Sequence, residues 1–260
     1  MRFGRRVLTS SSAKRWIWRR SGNFSRLFLT VPEFLFGTLT CSSTIKEANE
    51  IAKACEDYDV EALAIQADVS DNNDCINTID QTINKWGRID ALINNAGTSK
   101  FAWDHSNLEL LDAVDFHKIY SVNLVGPFQM IKASKEFLMK SDNPSITNVS
   151  SIAGIKGIGS SIAYAASKGA LNTMTISMAR NLGPIRVNAI CPGFIDGEWL
   201  KAGLGDEMFD AAKSNLESTV PLKSVATPET IAESILAFIL LNKNATGQLL
   251  ILDGGHHLNL

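Results

Sequence analysis

The chain has 260 residues, a formal charge of −2 and a composition that is 45% hydrophobic and 20% charged, which excludes a disordered chain, a collagen-like repeat and a coiled coil. This length suits one large α/β domain or two small ones, and the near-zero charge argues against general nucleic-acid binding. The charge is unevenly distributed, because residues 1–32 contain eight basic residues and no acid, whereas all 27 acidic residues follow them.

Helical and strand patterns alternate along the chain from about residue 45. Apolar residues recur at helical spacing in the helices, and the strands are short apolar runs that stop at polar residues or glycine. The last helix starts at Pro228, is capped by Thr227 and has Glu229 in its first turn. The predicted helices are 45–55, 74–85, 120–139, 163–182 and 228–241, and the predicted strands are 61–67, 89–93, 145–149, 185–190 and 248–252.

This alternation with short connections predicts an α/β fold, a doubly wound parallel sheet with helices on both faces. Ligands of such sheets bind beyond the carboxyl ends of the strands. We therefore expect the polar and glycine-rich strand ends to lie on one rim of the sheet. These ends are Asp68, 94–97, Ser150, Ser151, Pro192 and Gly193.

The four cysteines, at positions 41, 55, 75 and 191, are far apart and form no CxxC pair. A disulfide framework and a zinc site are therefore not expected, and the composition predicts reduced thiols in a cytoplasmic protein. No apolar run approaches the roughly 20 residues that span a bilayer, so no membrane contact is predicted. The Arg- and Ser-rich, acid-free start resembles a transit peptide in composition, which leaves a mitochondrial location as the alternative.

The sequence Tyr164-Ala165-Ala166-Ser167-Lys168 lies within the predicted helix 163–182. Residues i and i+4 share one helix face, so the lysine ammonium would lie beside the phenol. A neighbouring ammonium favours the phenolate and lowers the tyrosine pKa from its reference value of about 10. Such a tyrosine can exchange a proton with an alcohol or a ketone near neutral pH. By itself, this pair also fits a solvated helix face.

Further motifs surround this pair. Ser151 lies thirteen residues before Tyr164, at a strand end, and Asn123 begins the preceding long helix. With these motifs the sequence resembles the short-chain dehydrogenase/reductase family, most closely its 3-oxoacyl-(acyl-carrier-protein) reductase group. The matching pieces are Asp68-Val69, Asn94-Asn95-Ala96-Gly97, Asn123, Asn148-Val149-Ser150-Ser151, Tyr164-xxx-Lys168, Pro192-Gly193-Phe194-Ile195 and Gly247-Gln248 to Asp253-Gly254-Gly255.

The resemblance implies a single Rossmann-like domain and a catalytic set of four residues. Tyr164 would be the general acid in reduction and the base in oxidation. Lys168 would lower the pKa of Tyr164 and hold the nicotinamide ribose. Ser151 would hydrogen-bond the substrate oxygen, and Asn123 would anchor a water that relays protons to Lys168.

The resemblance also implies the contacts of a nicotinamide cofactor. The adenine would contact Asp68 and Val69, the adenosine side would contact Asn95, Ala96 and Gly97, and the carboxamide would contact the backbone of Ile195, beside Pro192 and Gly193. No acid stands at 41–43, where one would bind the ribose 2′-hydroxyl of NAD, so NADP is predicted, with NAD as the alternative. Gly197 departs from the family pattern, which commonly has Thr there, and this weakens the predicted contact with the cofactor.

The start of the chain departs further from the family. Members open with a strand, a Thr-Gly-xxx-Gly-x-Gly loop and a helix, and the glycines let the backbone approach the pyrophosphate. Residues 7–9 fit the strand, but no glycine follows until Gly22. Residues 36–43 resemble the second strand of the family, so the pattern is lost only between about residues 10 and 33. We therefore divide the chain into an atypical basic segment, 1–33, and a reductase-like domain, 34–260.

Three hypotheses account for this segment: a reading-frame error in the coding sequence, a transit peptide, or divergence to a protein that no longer binds the cofactor. The genetic code supports the first, because Trp16-Ile17-Trp18, read one nucleotide later, becomes Gly-x-Gly. The nucleotide sequence around codons 9–33 would decide among them.

Several site residues also have a purely structural interpretation. Asp68 could cap the following turn, Asn123 could be only a helix cap, and 94–95 could be a plain turn. Ser150 rather than Ser151 could face the site, although the thirteen-residue spacing favours Ser151. The four histidines have no metal-ligand spacing, so no metal is predicted and they are interpreted as surface or packing residues.

The sequence therefore predicts an NADP-dependent oxidoreductase that interconverts a carbonyl and a secondary alcohol in a small-molecule substrate. The alternatives are a non-catalytic binding or assembly subunit and an unstable mistranslated product. Members of the family usually form tetramers, and the apolar helices 120–139 and 163–182 allow a homo-oligomer, either a tetramer or a dimer. Residues 194–216 are predicted to form a lid over the substrate, to which Trp103 and Trp199 could contribute.

Overall fold

The computed structural model describes residues 36–42, 45–57 and 60–258. The predicted basic segment 1–33, with its strand at 7–9, lies outside these residues. The strands are β1 (Phe36–Cys41), β2 (Glu61–Gln66), β3 (Ala91–Asn94), β4 (Ser145–Val149), β5 (Arg186–Pro192) and β6 (Leu249–Leu252). The helices are α1 (Ile45–Glu56), α2 (Asn72–Trp86), α3 (Ala113–Tyr120), α4 (Gly126–Leu138), α5 (Ala153–Lys156), α6 (Ile162–Asn181), α7 (Glu198–Leu204), α8 (Asp206–Thr219) and α9 (Pro228–Leu236).

The predicted strands and helices are confirmed to within two residues, with one exception. The helix predicted to start at residue 120 starts at Ala113, because Asp112 and Asp115 form a capping box there. A π-helical turn, Ser121–Val125, joins α3 to α4. A second π-helical turn, Ala237–Leu241, continues α9 to the predicted end of that helix.

All paired strands run parallel, and helices flank them, which confirms the predicted doubly wound α/β fold. The described strands nevertheless form two sheets rather than the predicted single sheet. One sheet contains β1 and β2, and the other has the order β3-β4-β5-β6. A groove of about 240 Å³ separates them, lined by β1 on one side and β3 on the other. No described strand lies between these two edges.

The core of the larger sheet lies on both of its faces. Ile146 and Val187 point to one face, where they pack with residues of α2 and α4 such as Ile79 and Ile131. Val149 and Ile190, an odd number of positions further along the same strands, point to the opposite face and pack against α9. This two-sided burial fixes the register of the strands, and hence the height at which each strand ends on the rim.

The four cysteines are buried and form no disulfide. Among the described residues, no helix combines the length and the apolar character that crossing a bilayer requires.

Candidate active site

A cavity of about 290 Å³ opens at the carboxyl ends of β3, β4 and β5. It lies where ligands of parallel α/β sheets bind. Its lining brings together eight of the residues that the sequence predicts for the site: Asn95, Gly97, Ser151, Tyr164, Lys168, Pro192, Gly193 and Ile195.

The start of α6 positions Tyr164. Ser161 is the N-cap of this helix, and its hydroxyl accepts a hydrogen bond from the Tyr164 backbone N–H at 3.2 Å. Lys168 follows one turn later, and its Nζ lies 5.7 Å from the centre of the Tyr164 ring. The predicted shared helix face is therefore present.

The pKa of Tyr164 moves in the opposite direction from the prediction. Burial raises the pKa of Tyr164 to about 12, and a hydrogen bond with the Ser151 side chain acts against this rise. In the structure described, burial outweighs any lowering by the neighbouring ammonium, so the net shift of the Tyr164 pKa is opposite to the predicted one. The neutral phenol, which can donate a proton, is the favoured form at neutral pH.

Lys168 is almost completely buried, and its ammonium donates a hydrogen bond to the Val149 carbonyl at 2.8 Å. Burial lowers the pKa of Lys168 to about 8, because a charged amine is less stable away from water. The Ser150 hydroxyl donates to the Lys168 carbonyl at 3.2 Å. The end of β4 thus holds both the ammonium and the backbone of this lysine.

Ser150 and Ser151 both line the cavity but have different partners. Ser150 is buried, and its hydroxyl donates a hydrogen bond to the backbone of α6. Ser151 is half-buried, accepts a hydrogen bond from the Ala153 N–H at 3.1 Å and is hydrogen-bonded to Tyr164. Of the two hydroxyls, Ser151 is therefore the one that lies beside the phenol.

Asn123 lies in the π-helical turn between α3 and α4 rather than at the start of a helix, which corrects its predicted position. Its side-chain oxygen accepts from the Thr98 N–H at 2.8 Å, and its Nδ2 donates to the Thr98 carbonyl at 2.9 Å and to Ser167 Oγ at 3.0 Å. These bonds exclude the interpretation of Asn123 as only a helix cap. They hold the loop that follows β3 against α6.

Two buried asparagines, Asn94 and Asn148, connect the carboxyl ends of β3 and β4 at the rim of the sheet. Asn94 donates to the side chain of Asn148 at 2.9 Å, and Asn148 donates to Thr175 Oγ1 at 2.9 Å. Asn94 therefore joins β3 to β4 and is not part of a plain turn. These two hydrogen bonds fix the ends of β3 and β4, and Asn95 and Ser151, which follow these ends, line the cavity.

Of the three remaining predicted cofactor residues, two line the groove between the two sheets. Val69 and Ala96 line it, and Asn95 lines both the groove and the cavity. Asp68 lines neither. Its carboxylate accepts hydrogen bonds from the backbone N–H and the hydroxyl of Ser70, at 2.9 and 2.7 Å, so it caps the turn before α2, as its structural interpretation predicted.

Among the titratable residues that line the cavity, sequence reasoning missed one. His256 lines the cavity, although it was interpreted as a surface or packing residue. It follows the Asp253-Gly254-Gly255 turn, and this position beyond a strand end was the signal that could have identified it. Within the described ranges, no group of three His, Cys, Asp or Glu side chains could hold a metal ion.

Residues 38–257 match the family described as enoyl-(acyl carrier protein) reductase. A 3-oxoacyl-(acyl-carrier-protein) reductase from Thermotoga maritima is 32% identical over 217 residues, which are 82% of this chain and 81% of that protein. A Burkholderia xenovorans structure described as a short-chain dehydrogenase/reductase is 38% identical, with a TM-score of 0.77 over 86% of this chain and 87% of that one. The chain belongs to the short-chain dehydrogenase/reductase family.

The structure of an NAD+-bound xylitol dehydrogenase is also similar, with 26% identity, a TM-score of 0.76 and coverage of 85% of this chain and 88% of that one. Membership in this family makes the chain an oxidoreductase of carbonyl groups and alcohols. The family match begins at residue 38 and so leaves out the atypical basic segment.

Proposed function

We propose that this short-chain dehydrogenase/reductase transfers hydride between a nicotinamide cofactor and a carbonyl or secondary alcohol, with Tyr164, Ser151, Lys168 and Asn123 as its catalytic set. The observation that supports this proposal best is the convergence of Tyr164, Ser151 and Lys168 on one cavity. These three groups come from a strand end and a helix face and surround a space large enough for a carbonyl substrate.

The chemistry follows from the protonation states. The half-buried, neutral phenol of Tyr164 donates its proton to the carbonyl oxygen during reduction, and Ser151 hydrogen-bonds the same oxygen as negative charge develops on it. In the oxidative direction the phenolate takes the proton back. Lys168 lies one helical turn away and stabilises that phenolate by its charge.

The described residues fit the nicotinamide half of the cofactor, which supplies the hydride. Lys168 Nζ lies 3.6 Å from the position of a Cβ added to Gly97, so this glycine leaves open space beside the ammonium. The adenosine half would contact Val69, Asn95 and Ala96, which line the groove. We propose NADP rather than NAD, because residues 41–43 contain no acid to bind the ribose 2′-hydroxyl.

Substitution and titration test this function directly. We expect Tyr164→Phe to remove turnover, because the proton donor is lost, while NADPH binding and the unfolding midpoint change little. Turnover by Tyr164→Phe close to that of the unsubstituted protein would show that this tyrosine is not the acid. Quenching of protein fluorescence by NADPH at lower concentrations than by NADH would support the cofactor choice.

The second candidate is a family-derived binding or assembly subunit that has lost its cofactor. The observations that favour it are the absence of glycine between residues 10 and 21 and the glycine at position 197, where the family commonly has Thr. The fluorescence titration separates the two candidates, because this subunit would bind neither NADPH nor NADH at millimolar concentration. Sequencing of codons 9–33 would test a frame error independently.

We also propose that the protein forms a homo-oligomer through α4 and α6. Large apolar side chains are exposed on both helices: Phe128 is 48% exposed on α4 and Ile176 is 42% exposed on α6. Sedimentation of the protein as a dimer or tetramer, and its shift toward monomer in Phe128→Asp, would support this interface. The cytoplasmic location, with a mitochondrial one as its alternative, stays a prediction.

A further inference from the structure

We propose that the substrate is a neutral aryl ketone or its secondary alcohol, that is, a carbonyl compound with an aromatic ring attached directly to the carbonyl carbon. This inference rests on the proposed function, because it concerns what the same cavity binds. It goes beyond that function because it names the chemical class of the substrate. Two features of the cavity support this class: a wall of aromatic side chains and the charges of the residues that line it.

The aromatic wall consists of Phe101, Trp103 and Trp199. Phe101 and Trp103 are stacked with ring centres 5.5 Å apart, and Phe101 and Trp199 are tilted with centres 5.2 Å apart. Both tryptophans line the cavity, and Phe101 packs against both of them without being among the lining residues. Aromatic side chains arranged in this way offer a flat, polarisable surface to another ring.

The wall lies next to the reacting groups. The Trp199 ring is 6.1 Å, centre to centre, from the Tyr164 ring. A carbonyl oxygen that accepts the Tyr164 proton therefore places the substituent on its carbon within reach of the indole. A ring attached directly to that carbon can pack against Trp199, whereas a ring several bonds away cannot do so at the same depth.

Specific contacts hold the wall in place. The loop that contains Phe101 and Trp103 is fixed by the Ala102 N–H, which donates to the Ser160 carbonyl at 2.7 Å, and by a hydrogen bond of 2.6 Å between the Ser99 and Ser160 hydroxyls. On the other side, Gly203 of α7 packs against Phe101 so closely that an added Cβ would overlap the ring. The glycine is therefore required for the observed position of Phe101.

The charge of the cavity argues against an anionic substrate. Of the described residues that line it, Lys168 is the only lysine or arginine, His256 is the only histidine, and none is an acid. The Lys168 ammonium already donates to Val149 and is almost completely buried. A carboxylate or phosphate on the substrate would lose its hydration without gaining a lysine or arginine other than the already bonded Lys168, which is unfavourable in an apolar site.

The size of the cavity is consistent with this class. An apolar cavity of about 150 Å³ accommodates benzene, and this one measures about 290 Å³. The carbonyl group, its second substituent and the nicotinamide, which Gly97 and Lys168 adjoin, would share the remaining volume.

The test compares three probes on the full chain with NADPH: acetophenone, 4-acetylbenzoate and butanone. They share the ketone and differ in ring and charge. We expect kcat/KM for acetophenone to exceed that for each of the other two by about tenfold or more. A preference for 4-acetylbenzoate or butanone would overturn the substrate class and would leave the proposed reductase function intact.

Substitutions in the aromatic wall test whether its residues cause the preference for acetophenone. We expect Trp199→Ala to lower kcat/KM for acetophenone by about tenfold and for butanone by no more than about twofold. Met208→Ala is the matched control, because Met208 is an exposed residue on the adjacent helix α8 and is not among the residues that line the cavity. Equal losses for both ketones in Trp199→Ala would contradict a role of the wall in recognition.

A binding assay separates failure of this inference from failure of the proposed function. Acetophenone should quench the fluorescence of Trp103 and Trp199 without cofactor, and the quench should persist in Trp86→Phe, because Trp86 is stacked on Phe36 outside the cavity. Quenching without turnover of any ketone would refute the reductase function but support the aromatic site. If acetophenone neither binds nor is turned over preferentially, the inference is wrong.

Discussion

Substitution of Asn123 by alanine tests whether this residue positions the loop that follows β3. The Asn123 side chain is fully buried and forms three hydrogen bonds, two of them with the backbone of Thr98. Asn123→Ala leaves the Thr98 N–H and C=O without their partner. The third partner, Ser167 Oγ, retains its own bond to the Tyr164 carbonyl.

The magnitude follows from these groups. A backbone group that is buried without a partner costs about 1–3 kcal/mol. Thr98 is half-buried, so water reaches part of it and the full cost for both groups is not expected. We therefore expect Asn123→Ala to lower the free energy of unfolding by about 2–4 kcal/mol. Turnover should fall further, on the order of 100-fold, because the loosened loop includes Gly97 beside Lys168.

Urea unfolding followed by circular dichroism measures the first effect, and steady-state kinetics measures the second. Asn181→Ala is the matched control, because Asn181 is exposed on α6 and donates only to the Ser177 carbonyl at 2.8 Å. The control should change the free energy of unfolding by less than about 0.5 kcal/mol. Equal losses of stability in Asn123→Ala and Asn181→Ala would refute the reasoning.

Three further predictions concern the scaffold and the titration of the site. Arg186 is buried and donates to backbone carbonyls of the π-helical turn after α9, so Arg186→Met should lower the free energy of urea unfolding by about 2–3 kcal/mol. Arg180→Met, which replaces an exposed arginine, is the control. An equal decrease of the unfolding free energy in both variants would contradict this prediction. A Cβ at Gly154 would overlap the backbone of Gly169, so Gly154→Ala should lower the unfolding midpoint strongly, and an unchanged midpoint would show that α5 can move away from α6. Lys168 has a pKa of about 8 when folded and 10.5 as its reference, so between these values the unfolded chain binds more protons and the stability of the protein rises with pH. This gain in stability is lost as the pH falls through 8, and the Lys168→Met variant should not show it. Equal slopes of unfolding free energy against pH in Lys168→Met and in the unsubstituted protein would exclude this effect.

The sequence by itself determined the elements and the family of this protein. Periodicity and capping residues are local signals, so Thr227 and Pro228 predicted the start of α9 correctly. The Tyr164 and Lys168 spacing was also local, because one helical turn brings both residues to the same face. The strand ends could be predicted to meet on one rim, because parallel strands end on the same side of a sheet.

Only the tertiary structure decided the properties that depend on contacts between distant segments of the chain. The pKa of Tyr164 depends on burial by other segments, so adjacency to Lys168 predicted the wrong direction. Asp68 has the residue type expected of a cofactor ligand, and only the folded structure shows that its carboxylate accepts hydrogen bonds from Ser70 and so caps the turn before α2. The aromatic wall joins a loop after β3 to a helix almost a hundred residues later, and such packing between distant segments leaves no periodic signal in the sequence.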